Sequence, residues 1–597
     1  MYFVDSIGAL AFLRLVVRDQ AAFVRHFSLS ARLLRALLSK YGYSIPDIRR
    51  LEVGDVVSAT GIRQTAYTLA ESGVKEQPWR QWAETIGHRM GIDLCLLVEK
   101  HLFEELYDKY LFAGLAVEYV REHQTLEHEC LIDSKAYREY VSELTSLKGC
   151  TVWPIGSRKT LKLIGALGVL PILFVYFGIR LVRYKSADAS GSIVCIVDAP
   201  STFHMMAHLF GGEPNVRYFA ERTYTSQFPG SFLKEHKIGV LGVDPQAFFH
   251  CIVCAPGFVG CTVRSWRQLR PYGALPLAIM HLLLKGTLLT PRGRNACIVT
   301  TEHLTLPRST RNELLRRQGS SSISISRNSY VTYQQYPAER QLNYNVFCAA
   351  GQHAVDLYKK KKAKTPSLFI TGSYDTHREL DEPSRGDRLA LLDAFRGNGS
   401  LVVFLSPGVC DETCSNEHRL IQLAKHVAGV PGVKVLIRRK PGVPPPRYER
   451  FYEDILGHNT SVWVTGVEFD LFDFVGPADL FVTSISSSAC DIVLRGGQVM
   501  FVDFMNTPDL YLPWMRVPEI VLSENEAYEK IISWVMDSSD GPVRRNHAKV
   551  CLEFAQYVGF RSGSFGDYKE NLLNQIRPWL DRASTDRVSR VIEQHYS

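Results

Sequence analysis

A strand buried on both faces of a parallel sheet leaves a short apolar run with no polar alternation, closed by a break and followed by a helical stretch. Residues 461–504, SVWVTGVEFDLFDFVGPADLFVTSISSSACDIVLRGGQVMFVDF, carry that trace three times over, and this limits what the chain can fold into. Apolar runs at 462–464, 480–483 and 499–502 are separated by Gly, Pro and Ser breaks. The order is therefore strand, short helix, strand, serine-rich turn, helix, strand, an α/β unit with helices on either side of the sheet. Ligands of such sheets bind outside the carboxyl ends of the strands. Here that end carries Ser484, Ser486, Ser487 and Ser488. With a helix starting near Ser488, the hydroxyls and the free N–H groups of its first turn face one point that favours an anion, and a phosphate is the natural guest. The plainer role is one serine capping the helix. Asp491, one turn on, suits a ribose or sugar hydroxyl, or serves as a favourable first-turn acid.

At 597 residues the chain exceeds one core, and length suggests roughly three to four domains. Hydrophobic residues make up 46% and charged residues 22%, the balance of an ordinary folded protein. The net charge of +8, from 69 basic and 61 acidic side chains, suits an acidic membrane surface or phosphorylated substrates. No basic stripe is interleaved with stacking aromatics, so nucleic acid is not an expected partner. Thirteen cysteines without regular spacing fit a reducing compartment. Cys251 and Cys254 form a CxxC beside His250 and Cys261, but FFHCIVCAP reads as a strand, which points positions three apart to opposite faces; no metal site is expected. The start, MYFVDSIGALAFLRLVV, lacks the basic region and cleavage site of a secretion signal.

Taken in order, residues 1–157 read as an α-helical module for docking a partner protein, because ARLLRALLSKYG and GIDLCLLVEKHLFEELYDKYLFAGLAVEYV repeat apolar residues every three or four positions. His88, His101, His123 and His128 are scattered through it, without a polar cluster fit for chemistry. Residues 158–185 hold a charge-free run, LIGALGVLPILFVYFGI at 163–179, with Arg158, Lys159 and Lys162 before it and Arg180, Arg183 and Lys185 after. Spanning a bilayer takes about 20 apolar residues, and Pro171 sits mid-run, so an interfacial or re-entrant helix fits as well as a span, and a buried core helix is the plain alternative. A membrane-attached protein on the cytoplasmic face is the preferred reading.

Residues 186–364 then form a first Rossmann-like lobe, with strands near Asp198, at 238–243, 248–254, 296–300, 322–326 and 344–348. KKKKAK reads as a hinge linker first and a site for acidic lipid second. Residues 365–540 form a second lobe, whose strands begin at 367–371. Its rim carries Gly372, Ser373, Asp375 and His377 in GSYDTH, and Arg438 and Lys440 after the third strand. Residues 541–597 are helical and suited to bridging the lobes.

Two such lobes with a phosphate site on the second resemble the GT-B glycosyltransferase fold. More narrowly, VKVLIRRKPG, ADLFVTSISSSACDIVLRGGQVMFVDF and GSFGDYKENLLNQI resemble the second half of bacterial surface-polysaccharide transferases, the CDP-glycerol glycerophosphotransferase, capsule and polysialyltransferase-like group. The resemblance covers roughly residues 190–582 and implies that Ser486, Ser487 and Ser488 hold the donor's phosphates. Two family features depart: Lys440-Pro441-Gly442 stands where a His-Pro pair is usual, and Ser326-Arg327-Asn328 where a His-Gly is often found.

Glycosyl transfer needs a base for the acceptor hydroxyl, stabilisation of the departing phosphate and a cleft that excludes water. The serine turn with Arg438 or Lys440 supplies the second without a metal or a cofactor, since helix dipole and cations can hold the charge. Asp198 with His204, or Glu302 with His303, are the candidate bases from the first lobe, with capping or core roles as the plainer alternative. Asp375 and His377 are placed to touch the donor. The expectation is a membrane-associated glycosyltransferase moving a sugar from a nucleotide-activated donor to a lipid-linked or growing surface glycan. A polyol-phosphate transferase, a hydrolysing epimerase and a non-catalytic assembly protein remain as alternatives, the last favoured by the two departures.

Overall fold

The computed structural model describes residues 2–7, 15–16, 21–27, 34, 38–39, 48–49, 59–75, 78–123, 126–132, 138–154, 159–183, 189–269, 272, 274–301, 305–327, 341–378, 385–406, 415–439, 452–453, 456–457, 459–465, 469–476, 478–484, 488–504, 518–538, 540–559 and 563–596. They divide into two compact units. One holds Met1–Arg183 and Gln246–Thr287, the other most of the remainder.

The first unit contains a parallel sheet of β1 (Tyr2–Ile7), β2 (Ala22–Phe27), β3 (Ile48–Arg49), β4 (His128–Ile132) and β5 (Cys150–Pro154), in the order β3-β2-β1-β4-β5. This corrects the helical reading of residues 1–157. The strands are short and mix polar residues into their apolar runs, as in HECLI, whereas the helix Leu94–Glu122 dominates the periodicity of the segment. Asp93 starts that helix by accepting the Leu96 N–H at 2.9 Å. The helix lies against the sheet through Tyr119, whose ring meets Phe3 at 5.5 Å and Phe23 at 5.1 Å.

The helices Lys159–Arg183, Pro245–Arg264 and Leu275–Leu289 complete this unit. The second of these corrects the strand expected at 248–254. A continuous apolar run does not distinguish strand from helix by periodicity, and this one extends well beyond strand length. His250 and Cys254 thus sit one turn apart, with the His250 Nε2 3.1 Å from the Met90 carbonyl, while Cys251 is buried. Among the described residues no group of three or more His, Cys, Asp or Glu side chains is placed to hold a metal.

The second unit carries two further parallel sheets. The first consists of β6 (Ile193–Val197), β7 (Val216–Ala220), β8 (Gly239–Val240), β9 (Cys297–Thr300), β10 (Ser321–Ile325), β11 (Val346–Ala349) and β12 (Ser367–Ile370), in the order β12-β11-β10-β9-β6-β7-β8. The second consists of β13 (Ser400–Leu405), β14 (Val433–Arg438), β15 (Val462–Thr465), β16 (Leu480–Thr483), β17 (Val499–Asp503) and β18 (Val521–Ser523), in the order β15-β14-β13-β16-β17-β18. Counted from its own first strand, each sheet runs 3-2-1-4-5-6, the doubly wound order, with β12 added as a seventh strand to the first.

That addition moves the lobe boundary. β12 was expected to open the second lobe, but it pairs with β11 in parallel, Val346 opposite Ser367 and Ala349 opposite Ile370. Its own sequence is indifferent between the two, since a four-residue apolar strand after a lysine run can start one sheet or finish another. The tail helices divide between the lobes. Pro542–Val558 packs Phe554 and Val558 into the second sheet's core, and Phe565–Tyr596 packs Tyr568, Leu572 and Ile576 into the first.

Candidate functional site

In a doubly wound sheet the strand order reverses between the first and fourth strands, and the loops leaving their carboxyl ends part to leave a crevice. In the first lobe those strands are β6 and β9. Val197 ends β6, Asp198 follows, and Pro200 starts the next helix at a position where its missing N–H costs nothing. The Asp198 carboxylate accepts from the Thr202 hydroxyl, holding it at the start of that helix. His204 stands on the exposed side of the same helix among aromatic rings, 5.9 Å from Phe232 and 6.1 Å from His236. Glu302 and His303 follow β9 directly in sequence but lie outside the described residues.

In the second lobe the reversal falls between β13 and β16. Ser484, buried, directly follows β16, and Ser488 is the first residue of the helix Ser488–Leu494. Ser486 and Ser487, between them, lie outside the described residues, as does Lys440. Arg438 is the last residue of β14, next to β13 in the sheet. The serines singled out in the sequence thus belong to the connection that leaves one of the two strands flanking the reversal.

Asp491 has a different neighbour from the one expected. Its carboxylate, buried on the helix after the serine turn, accepts from the Thr376 hydroxyl at 3.1 Å. Thr376 belongs to the short helix Tyr374–His377 in the connection after β12, so this bond ties the two lobes of the unit. Gly372 opens that connection at φ +86°, a conformation costly for any residue with a Cβ. Ser373 and Thr376 then share a hydroxyl–hydroxyl bond of 2.6 Å, and the His377 Nδ1 meets the Ser373 carbonyl at 2.8 Å. His377 stacks on Tyr568 of the tail helix, ring centroids 4.5 Å apart. Gly372, Ser373 and His377 therefore pack as an interlobe connector, with the Ser373 hydroxyl and the His377 Nδ1 bonded within it.

Around this connector the fold gathers charges that no local pattern announced. Arg495 donates to the carbonyls of Asp375 and Arg378 at 2.8 and 2.9 Å, with its guanidinium 4.0 Å above the Phe472 ring. Arg378 lies over the same ring and pairs with Asp470. Arg327 and Arg378 each approach the Asp375 carboxylate at 3.5 Å. Burial nonetheless pushes the Asp375 carboxyl above its ordinary range, outweighing both arginines. For Asp470 burial pulls the same way but loses: the Phe472 N–H, Arg378 and Arg438 hold its carboxyl below the usual value. The interlobe face is thus rich in guanidinium groups aimed at backbone and carboxylates, the donor set that also recognises phosphate oxygens. Arg327, Arg378, Asp470 and Arg495 are far apart in the sequence, and only the folded backbone brings them together.

The first unit has a charged cluster of its own, on a helix read from its sequence as free of chemistry. Glu104 is pushed up to about 7, by burial first and by Asp108, against the pull of Lys100. Glu105, one residue on, is held down to about 2: burial opposes this, but Lys109 and His101 prevail.

Neither a known protein family nor a curated protein sequence matches the chain. Among solved structures, the wall teichoic acid polymerase TagF is similar at 9% identity and a TM-score of 0.40, over 72% of this chain and 99% of that one. A UDP-N-acetylglucosamine 2-epimerase assigned to Listeria monocytogenes is similar at 11% identity and a TM-score of 0.38, over 65% and 96%. The N-terminal domain of a Candida albicans trehalose-6-phosphate phosphatase is similar at 10% identity and a TM-score of 0.38, over 66% and 98%. Likenesses this distant decide nothing about activity. By its own strands the chain is an α/β protein, with two successive doubly wound parallel sheets of order 3-2-1-4-5-6, a tail helix returned to the first of them, and a further parallel sheet formed by earlier residues.

Proposed function

We propose that the chain is a glycosyltransferase, taking a sugar from a nucleotide-activated donor and passing it to a lipid-linked or growing surface glycan. One observation carries the reading: the candidate residues follow the strands that flank the order reversal, Asp198 after β6 and Glu302 and His303 after β9 in one sheet, and the serine turn after β16 in the other. Crevices of this kind are where doubly wound sheets bind nucleotides.

In the reaction the acceptor oxygen forms a bond to the sugar carbon while the bond from that carbon to the donor phosphate breaks. The acceptor's proton passes to a base of the first lobe, Asp198 or His204 on one strand end, Glu302 or His303 on the other. The departing diphosphate keeps its negative charge and is held by the hydroxyls of Ser486, Ser487 and Ser488 with Arg438 or Lys440 beside them. Asp491, already bonded to Thr376, is the group through which the donor's seat in the second lobe meets the first lobe. Inversion at the sugar carbon follows from the resemblance to surface-polysaccharide transferases, and independence of metal from a helix dipole and cations that can hold the charge.

A second reading is favoured by VKVLIRRKPG and SISSSACD, whose resemblance extends to the CDP-glycerol group: the same cradle would hold a CDP-activated polyol. Thermal unfolding of the full chain with UDP, CDP, CMP and GDP, each with and without its sugar or polyol conjugate, separates these readings, since a ligand of the folded state alone raises the melting temperature. Stabilisation by a sugar nucleotide supports glycosyl transfer, and stabilisation only by CDP-glycerol or CDP-ribitol supports the second reading. Silence across the set overturns both and leaves the assembly protein. Free nucleotide released without an acceptor would instead mark a hydrolysing epimerase. The double variant Ser487→Ala with Ser488→Ala should weaken binding of the stabilising nucleotide by about 1–3 kcal/mol, the usual worth of hydrogen bonds to a charged group.

A further inference from the structure

The helix Lys159–Arg183 is not a core helix. Leu170 and Phe177 are buried on its inner side, while Ile172, Val175, Ile179 and Val182 recur on an outward stripe, Val182 being 80% exposed. Its neighbour in the same unit, the helix Pro245–Arg264, does the same: Phe248 is buried, but Phe249, Val253 and Val263 face out, Val253 being 76% exposed. The two helices touch along one line, where the Phe248 ring reaches the Gly178 backbone and meets Phe174 with ring centroids 6.5 Å apart. Each stripe lies beside that line. Of the 17 large apolar side chains that stand exposed among the described residues, ten lie on these two helices, so the exposure is concentrated rather than scattered.

Charge indicates what covers it. Neither helix contains an acidic residue, and their basic residues stand near their ends: Lys159, Lys162, Arg180 and Arg183 on one, Arg264 on the other, with Arg267 just beyond. Arg180 folds over the Tyr176 ring at 4.9 Å, an aromatic and a cation together at the edge of the apolar stretch. Between residues 163 and 179 the only side-chain hydrogen-bonding group is the Tyr176 hydroxyl. Protein partners meet through about one hydrogen bond per 100–200 Å² and a polar rim. A surface with a dry middle, no acids and arginines near its ends instead matches hydrocarbon bordered by phosphate headgroups.

We propose that the paired stripes of Lys159–Arg183 and Pro245–Arg264 form one surface that lies in the interfacial layer of a membrane with anionic headgroups. The helix Lys159–Arg183 enters on its outer side only, since its inner side packs on protein, Phe177 meeting His281 of the helix Leu275–Leu289. It does not cross the bilayer. Pro245–Arg264, long and apolar enough to cross by length and composition, is likewise held on one side. Arg180, Arg183 and Arg264 meet the phosphates. The surface is argued from these helices alone and stands or falls apart from the transferase reading.

Flotation of the full chain with phosphatidylcholine vesicles, with and without phosphatidylglycerol, tests it. The chain should float with the anionic vesicles and much less with the neutral ones. Val175→Glu with Val253→Glu, both at exposed positions, should cut vesicle binding about tenfold or more, because a charge placed in the apolar layer is costly. Arg180→Gln with Arg183→Gln should remove the preference for anionic lipid. Both variants should keep the melting temperature and whatever nucleotide stabilisation the parent shows. If the glutamate pair unfolds the chain, Ile179→Ser with Val182→Ser replaces it with the same expectation. A chain that stays unbound with anionic vesicles, or an apolar-face variant that floats like the parent, overturns the surface. So does a chain that passes over the vesicles as a dimer and is made monomeric by the glutamate pair, for the stripes would then face a second copy.

Discussion

Asp473 has no role in the proposed chemistry, yet it is among the most exacting residues of the second lobe. Its carboxylate is fully buried, paired with Arg388 at 2.7 Å and approached by Arg385 at 3.5 Å, and it accepts the Asp470 N–H at 2.9 Å. Removing it takes a carboxylate from Arg388 and from the partly exposed Arg385, so Asp473→Ala should lower stability by about 1–3 kcal/mol in denaturant unfolding, while Asp473→Asn, which retains an acceptor, should cost less. At the same scale, Asp198 and Ser488 could be read in the sequence because each follows an apolar run within a residue or a short turn, so a strand end fixes their place. Arg378, Asp470 and Arg495 could not. An arginine on a short helix looks the same whether it faces solvent or reaches a carbonyl of another loop. Asp491 was legible as a first-turn acid or a partner for a sugar hydroxyl, but its bond to Thr376 was not, for that depends on how two lobes meet. Thr376→Val should therefore leave each lobe's fold intact and loosen their docking, read as faster proteolysis between residues 371 and 378.

Among the elements, the helix Pro542–Val558 contains a built-in acid sensitivity. Burial against the Trp534 ring lowers the His547 pKa from 6.5 to about 4. The folded protein therefore keeps His547 neutral where the unfolded chain would bind a proton. Its contribution to stability is complete above pH 6.5 and is lost as pH falls from there through 4, up to about 3 kcal/mol in all. His547→Gln should flatten the pH dependence of the melting temperature between those limits, whatever it does to stability at neutral pH. The element scale also shows what periodicity reads well and badly. Buried strands such as VKVLIR and LFVT end in breaks and were plain; FFHCIVCAP, apolar with a proline at its end, was not, since its helix continues through Pro256. β12 was located correctly and given to the wrong sheet, because hydrogen-bonded neighbours are not written in a strand's own residues.

For the whole molecule, the two large sheets were legible because each repeats the strand–helix alternation six or seven times, and a repeated signal survives local errors. The N-terminal sheet was hidden by strands of two to six residues beside a 29-residue helix. The tail is the part whose removal tests the assembly most directly. Ending the chain after Gly563 would strip Tyr568, Leu572, Leu573, Ile576 and Leu580 from the first lobe's core. At about 1.5–3 kcal/mol for each large apolar side chain, that loss rivals a domain's whole stability, so the truncated protein should lose the cooperative unfolding of that lobe. The arrangement also sets an order of events on the ribosome. The last strand of the first lobe is made about 200 residues before the helix that fills its core, a wait on the order of 10–40 s at ordinary synthesis rates. Through that interval the earlier lobe waits incomplete with an open apolar groove while the later one forms, so a chaperone that shields grooves of this kind has its longest opportunity there, and the first lobe is the last to be finished.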